Sequence, residues 1–219
     1  MTAKTYQPAA GYSPRFEAAF VDLMKVEGGF VDNRHDAGGA TIYGISLRFL
    51  IAEGRVDLDR DGYADFDLDM DGDIDGQDIR RLTPDHARAL YWRCFWLRIG
   101  AEQLPRPLGE AVFDQAVNGG IVAAGKLLQR AINTCLMQAI RNGVASRVLE
   151  VDGQIGPATR EAVLWVLRWP SLGMPSLLAA FRSAAKERYR SIAARNLSQQ
   201  VFLKGWLARA DRLGREGAA

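Results

Sequence analysis

The sequence predicts a mainly α protein, a helical bundle that carries one small β-ribbon. Three observations predict it. Apolar residues recur at helical spacing, as in Phe16, Phe20 and Leu23, or Leu127, Leu128, Ala131, Ile132 and Cys135. Helix starts and stops punctuate the chain. Ser13-Pro14, Thr83-Pro84 and Gly156-Pro157 read as starts, and Gly28-Gly29 and Gly119-Gly120 as stops. No segment alternates strongly enough for an extended sheet, and the glycine-rich run near 29–46 suits only a tight ribbon.

The elements follow in order. Ser13 can cap a first helix with Pro14 in its first turn. Phe16, Phe20, Leu23 and Glu27 fall at i, i+4, i+7 and i+11, on one face. Gly28 and Gly29 end that helix, and the ribbon follows. Thr83-Pro84-Asp85 opens a helix crowded with Leu90, Tyr91, Trp92, Cys94, Phe95 and Trp96. Trp92 is expected in the core, and Trp96 either there or in a cleft wall. Leu104-Pro-Arg-Pro-Leu breaks this helix. A further helix covers 108–118 and stops at Asn118-Gly-Gly. A long one covers 121–142, with Leu127, Leu128, Ala131, Ile132, Cys135, Leu136 and Ile140 inward. After the turn at Asp152-Gly153, Pro157 starts a helix to about 168. Residues 169–175 read as a loop, 176–196 as a helix, and about 199–213 as a shorter one.

Residues 27–46 concentrate the chemistry. Glu27 continues an apolar stripe where its helix stops, and a carboxyl held against apolar groups has a raised pKa, as a general acid needs. Asp36 and Thr41 follow on the glycine-rich turn. Two carboxylates and a hydroxyl beside glycines suit cleavage of a glycosidic bond, one acid protonating the leaving oxygen while the other groups position water. His35, a lone loop histidine, reads as solvated or as a hydrogen-bond partner.

Glu27-Gly-Gly-Phe followed by Asp36-x-Gly-Gly-x-Thr41-x-Tyr-Gly-Ile resembles glycoside hydrolase family 108, lysozyme-like N-acetylmuramidases. Ala87-Arg-Ala-Leu-Tyr-Trp, Phe113-Asp-Gln-Ala-Val-Asn118-Gly-Gly and Leu127-Leu-Gln-Arg-Ala continue the resemblance. Asp152-Gly-Gln-Ile-Gly-Pro-Ala-Thr is similar to the peptidoglycan-binding half that accompanies this family. The resemblance implies an α+β lysozyme-like fold. It implies a catalytic domain over 13–120, with an insert at 55–80, and a helical peptidoglycan-binding region over 121–215. No flexible Ser/Pro linker separates them, so the halves are expected to pack together. By analogy with the Glu–x8–Asp–x5–Thr triad of phage-type lysozymes, Glu27 is the general acid, and Asp36 and Thr41 orient or activate water. Such an arrangement implies inversion, with roughly 6.5–9.5 Å between carboxyls. Asp32 remains an alternative second carboxylate. Tyr43, Gln115 and Asn118 become candidate sugar contacts; Asn118 can equally serve only as a helix cap.

The acidic insert is the second signal. Residues 57–78 hold ten Asp against one Arg. Asp67, Asp69, Asp71, Asp73, Asp75 and Asp78 occupy positions 1, 3, 5, 7, 9 and 12 of a calcium loop, with Gly72 at 6 and Ile74 at 8. Calcium is therefore expected on Asp67, Asp69, Asp71, Asp73 and Asp78, in a dockerin- or EF-hand-like loop. Asp57, Asp59, Asp61, Tyr63 and Asp65 repeat the first half of the pattern ten residues earlier, a possible second site without a closing carboxylate at position 12. Carboxylates this dense repel one another unless a cation compensates them. The ion is structural on this reading, and catalysis needs no cofactor.

Bulk properties bound the rest. The chain has 219 residues, 48% hydrophobic, with formal net charge +2. From residue 87 onward 19 Lys and Arg face 9 Asp and Glu, a balance that suits an anionic polymer such as cell wall. The two cysteines, Cys94 and Cys135, lie in apolar helical patterns and read as buried free thiols. No signal peptide and no membrane span is evident. Synthesis in the cytoplasm and action in the periplasm or wall are expected, with exit through a holin, lysis, a phage or gene-transfer particle, or specialised secretion machinery. The expected partner is peptidoglycan, with no nucleic acid, and the expected state a monomer. The expected function is that of a muramidase cutting the MurNAc-β-1,4-GlcNAc bond, with a lytic transglycosylase and a non-catalytic wall-binding or structural module as the alternatives.

Overall fold

The structure is a computed structural model that describes residues 11–26, 41–58, 60–143 and 147–215. It is mainly α with one small antiparallel ribbon, a lysozyme-like fold. The chain divides into two compact units, the first ending at Trp96 and the second beginning at Leu97.

In the first unit, helix α1 runs Pro14–Val26. Ser13 Oγ accepts from the Phe16 amide (3.0 Å), the cap the sequence predicts. Phe16, Phe20 and Leu23 are buried, as their spacing requires. Strands β1 (Thr41–Ile42) and β2 (Ile45–Ser46) pair antiparallel, Thr41 with Ser46 and Ile42 with Ile45. Helix α2 (Leu47–Glu53) follows at once, and Ser46 Oγ caps it by accepting from the Phe49 amide (3.2 Å). The acidic insert runs into α3 (Gly76–Arg81), and α4 (Pro84–Tyr91) follows. Thr83 caps α4 reciprocally: its hydroxyl accepts from the His86 amide, and His86 Nδ1 accepts from the Thr83 amide, both at 3.2 Å.

A π-helical segment, Trp92–Trp96, continues α4. It corrects one expectation: Trp96 is the fully buried tryptophan, and Trp92 is only half-buried. The wider turn rotates the residues that follow it relative to a 3.6-residue period, so the face read from α-helical spacing is displaced. Phe16 packs edge-on against both rings (5.0 and 5.5 Å between centroids). Arg93 ties the segment back to α2, donating to the Glu53 carbonyl (2.6 Å).

The second unit holds α5 (Leu97–Ile99), a 3-10 turn (Ala101–Gln103), α6 (Leu108–Gly119), α7 (Ile121–Arg141), α8 (Pro157–Arg168) and α9 (Gly173–Arg195). A 3-10 segment (Leu197–Phe202) and α10 (Leu203–Arg212) complete it. Helix α7 packs against α6, α8 and α9 and buries Leu127, Leu128, Ala131, Ile132 and Cys135. Helix α9 begins at Gly173 rather than 176, because Pro175 is accommodated in a first turn. Cys94 and Cys135 are both buried free thiols, and burial pushes the Cys135 thiol pKa up. No helix among the described residues is long and apolar enough to cross a membrane.

Candidate functional site

Of the residues read as catalytic, Thr41 lies among the described ones; Glu27, Asp36, Asp32 and His35 lie outside them. Thr41 opens β1 and is half-buried, as is Tyr43 at the ribbon's turn. Two residues, Tyr43 (φ +51°) and Gly44 (φ +74°), connect the strands. Two consecutive left-handed residues make the turn whose twist matches a tight hairpin. Glycine adopts that conformation freely, whereas an aromatic residue does so at a cost of about 1–2 kcal/mol. The Tyr43 carbonyl accepts a hydrogen bond from the Tyr91 hydroxyl at the end of α4 (2.9 Å). The ribbon is seated from below by Ile45, which is buried.

The insert is ordered by its own backbone. Asp67 accepts from the amides of Asp71 (3.2 Å) and Gly72 (2.9 Å), and Asp71 from that of Asp73 (3.1 Å). Gly72 takes φ +100°. Asp78, fully buried, reaches back to the amides of Leu68 (2.6 Å) and Asp75 (2.7 Å). Two sets of three carboxylates have oxygens within 4.8 Å of one another: Asp67, Asp69 and Asp71, and Asp73, Asp75 and Asp78. Asp75 also caps α3, accepting from the Gln77 amide. The clustered charge is visible in the pKa directions. Asp73 is pushed up chiefly by Asp71, and Asp78 is pushed up by burial, against the pull of its amide donors. One Asp69 oxygen pairs with Arg81, and the other is buried without a protein hydrogen bond. A buried, unsatisfied carboxylate oxygen beside two further carboxylates fits a hard cation such as calcium.

The earlier repeat folds alike. Asp57 accepts from the amides of Asp61 (3.2 Å) and Gly62 (3.1 Å), and Asp61 from that of Tyr63 (3.0 Å). Asp59 lies outside the described residues. Asp65, at the ninth position, accepts from the Leu58 amide (3.0 Å), the same contact that Asp78 makes with Leu68. The shorter loop thus closes on its own carboxylate. Asp65 also lies 3.9 Å from Arg93, which supplies a fixed positive charge. Spacing alone could not reveal either role.

In the second unit, Gln115 is buried, and its amide exchanges hydrogen bonds with the Tyr189 hydroxyl (3.1 and 3.2 Å). Burial raises the Tyr189 pKa. Asn118 is exposed at the end of α6. In the amide orientation that satisfies both groups, its oxygen accepts from Arg209 (3.0 Å). Arg209 also chelates Asp114 (3.0–3.2 Å). Asp114 and Arg209 carry no sequence signal, because their contact spans 95 residues. Tyr189 stacks on Trp206, which touches Phe202.

The Asp152–Thr159 motif is a buckle. Gln129 on α7 donates to Asp152 (2.6 Å) and the Gln154 carbonyl (3.0 Å) and accepts from the Gly153 amide (2.7 Å). Thr159 donates to the same Gln154 carbonyl (3.1 Å). The Gln129 bond to Asp152, and after it the Gln154 amide that donates to the same carboxyl (2.8 Å), hold Asp152 below its usual range.

Residues 20–120 match the family model of glycosyl hydrolase 108, and residues 123–211 match that of the Predicted Peptidoglycan domain. The chain thus carries a glycosyl hydrolase 108 match over its N-terminal half and a peptidoglycan-domain match over its C-terminal half. The structure of Brucella abortus SagA resembles it with TM-score 0.59 and 22% identity, over 93% of this chain and 98% of that one. No curated protein sequence matches. The glycosyl hydrolase 108 match takes in Glu27, Asp36, Thr41, the insert, Gln115 and Asn118. The match to the peptidoglycan domain takes in the Asp152–Thr159 buckle. The two matches meet after α6, whereas the compact units divide before α5. Helix α6 packs on α7, which explains why contact groups it with the C-terminal helices. Together the two matches support peptidoglycan hydrolysis, and hence action at the cell wall.

Proposed function

We propose that this protein is an endolysin-like N-acetylmuramidase that cleaves the MurNAc-β-1,4-GlcNAc bond with inversion. The carrying observation is the Glu27–x8–Asp36–x4–Thr41 set, which falls wholly inside the matched residues 20–120 and ends on the ribbon strand. Glu27 donates its proton to the glycosidic oxygen as the bond to the anomeric carbon breaks. Asp36 accepts a proton from water oriented by the Thr41 hydroxyl. The water oxygen attacks the opposite face of the sugar. Solvent then returns Glu27 to its acid form and Asp36 to its base form. Tyr43 contributes a sugar contact beside the ribbon, and Asn118 stands as a separate candidate sugar contact in the second unit. Gln115, being buried and bound to Tyr189, ties α6 to α9. Residues 13–120 act as the catalytic domain, and 121–215 as the wall-binding region. The protein works as a monomer and reaches the wall through a holin, a particle or secretion machinery.

Calcium on Asp67, Asp69, Asp71, Asp73 and Asp78 serves structure in this scheme. It neutralises the insert that joins α2 to α4 and takes no part in bond cleavage. The shorter loop, Asp57 to Asp65, is satisfied in part by Arg93, so one ion is proposed.

Digestion of purified peptidoglycan, with calcium present and products identified by mass spectrometry after borohydride reduction, tests the reading. Reduced muramic acid ends support it. Reduced glucosamine ends move the cut to the other glycosidic bond, and anhydro-muramic ends mean a transglycosylase. Wall binding without products leaves a non-catalytic module.

A further inference from the structure

We propose that the Tyr91 hydroxyl is a positioning group for the active-site ribbon, holding the strained Tyr43–Gly44 turn and through it the Thr41 hydroxyl. The proposal rests on the function proposed above for Thr41. Tyr91 is the last residue of α4 and is 1% exposed. Its ring is fixed between Phe20 (6.0 Å) and Phe95 (5.8 Å). A ring so held has no freedom to follow a moving partner, so its hydroxyl marks a fixed point in the core. That hydroxyl donates to the carbonyl of Tyr43 across 48 residues of sequence (2.9 Å).

The acceptor is a backbone group at the point of strain. Tyr43 is a bulky residue at φ +51°, and such a conformation persists only when its surroundings enforce it. The strands it joins pair over two residues each, and an isolated hairpin of that size is marginal in water. On the β2 side the ribbon is anchored by buried Ile45 and by Ser46 capping α2. The Tyr91 bond adds an anchor at the turn, two residues from Thr41. A net hydrogen bond of about 1 kcal/mol is comparable with the strain it opposes. Releasing it lets the turn relax toward φ < 0, which untwists the hairpin and displaces Thr41 from its register with Ser46. Displacement by about 1 Å at a water-orienting group costs up to about 10²-fold in rate.

Tyr91→Phe removes the hydroxyl and keeps the packed ring. Two measurements test the proposal in full-length protein. In amide hydrogen exchange without substrate, Tyr91→Phe is expected to speed exchange across 41–46 at least fivefold, with α6–α10 unchanged. In peptidoglycan turnover, kcat is expected to fall about tenfold to a hundredfold, with KM within twofold, at temperatures well below melting. In a Tyr43→Gly background, where the left-handed turn carries no strain, adding Tyr91→Phe is expected to cost less than threefold more. A merely structural tyrosine lowers Tm but leaves kcat and the 41–46 exchange at wild-type values, and that result overturns the proposal. A full-sized loss of kcat in the glycine background overturns it too. If wild type shows no turnover, the muramidase reading fails, and unchanged ribbon exchange then overturns the positioning role separately.

Discussion

Gly125→Ala offers the sharpest test of how the C-terminal region is assembled. By helix propensity the substitution is favourable, because alanine is better than glycine in a helix interior by about 1 kcal/mol. The structure demands the opposite. A Cβ on residue 125 would lie 2.0 Å from the Gly153 carbonyl oxygen and 2.6 Å from its carbon. Both are backbone atoms, in a loop that Gln129 holds by hydrogen bonds to Asp152, Gly153 and Gln154. Relief requires the loop to retreat by about 1 Å, which breaks two or three of these bonds at about 1 kcal/mol each. Residual overpacking adds about 1–3 kcal/mol. After the propensity gain, the net loss is about 2–5 kcal/mol, or about 4–20 °C in Tm for a chain of this size. Thermal unfolding by circular dichroism or calorimetry reads it directly. Gly205→Ala is the internal control. It lies in α10 with nothing within 4 Å of the added carbon, and it is expected to raise stability by up to about 1 kcal/mol. A Gly125→Ala protein that melts at or above wild type would refute the buckle.

Further outcomes follow from the site. Saturating calcium over EDTA is expected to raise Tm, with about 2.7 kcal/mol of stabilisation at a hundred times the dissociation constant, and Asp67→Asn or Asp78→Asn to abolish the rise. Equal melting in calcium and EDTA contradicts a metal site in the insert. Asp152 has a lowered pKa in the fold, so its contribution is present above its unfolded value and is lost as pH falls through the folded one. Asp152→Asn is therefore expected to flatten the stability–pH curve below about pH 4, and an unchanged acid limb counts against the Gln129 contact. Thr41→Val, which keeps the strand-forming shape, is expected to lower kcat about 10²-fold with Tm within 2 °C, as for loss of a water-orienting group. Wild-type turnover from this variant removes Thr41 from the mechanism.

Much of the architecture was legible because its signals are local. Ser13, Thr83 and Gly156-Pro157 announce helix starts within three residues, and α1, α4 and α8 begin there. The calcium-loop spacing likewise foretold the turn at Gly72 and the returning carboxylate of Asp78. What escaped depends on distance or on departures from ideal geometry. The π segment moved Trp96 into the core and Trp92 toward its edge, which a 3.6-residue period cannot anticipate. Helix α2, short and capped by a strand residue, left no separate pattern. The roles of Asp65, Arg93 and Arg209 arise from partners tens of residues away. Gln115 looked like a sugar ligand because it sits one turn from Asn118 on the same block. In the fold its side chain turns inward to Tyr189.

In the proposed mechanism Glu27 drives hydrolysis of the glycan. The most direct measurement is the release of new reducing ends from purified peptidoglycan by wild type and by Glu27→Gln, at equal concentration with calcium present and matched melting temperatures. Steady release by wild type is expected, with a loss of at least about 10²-fold in the glutamine variant, the scale of a general acid. Equal release by both proteins would contradict it.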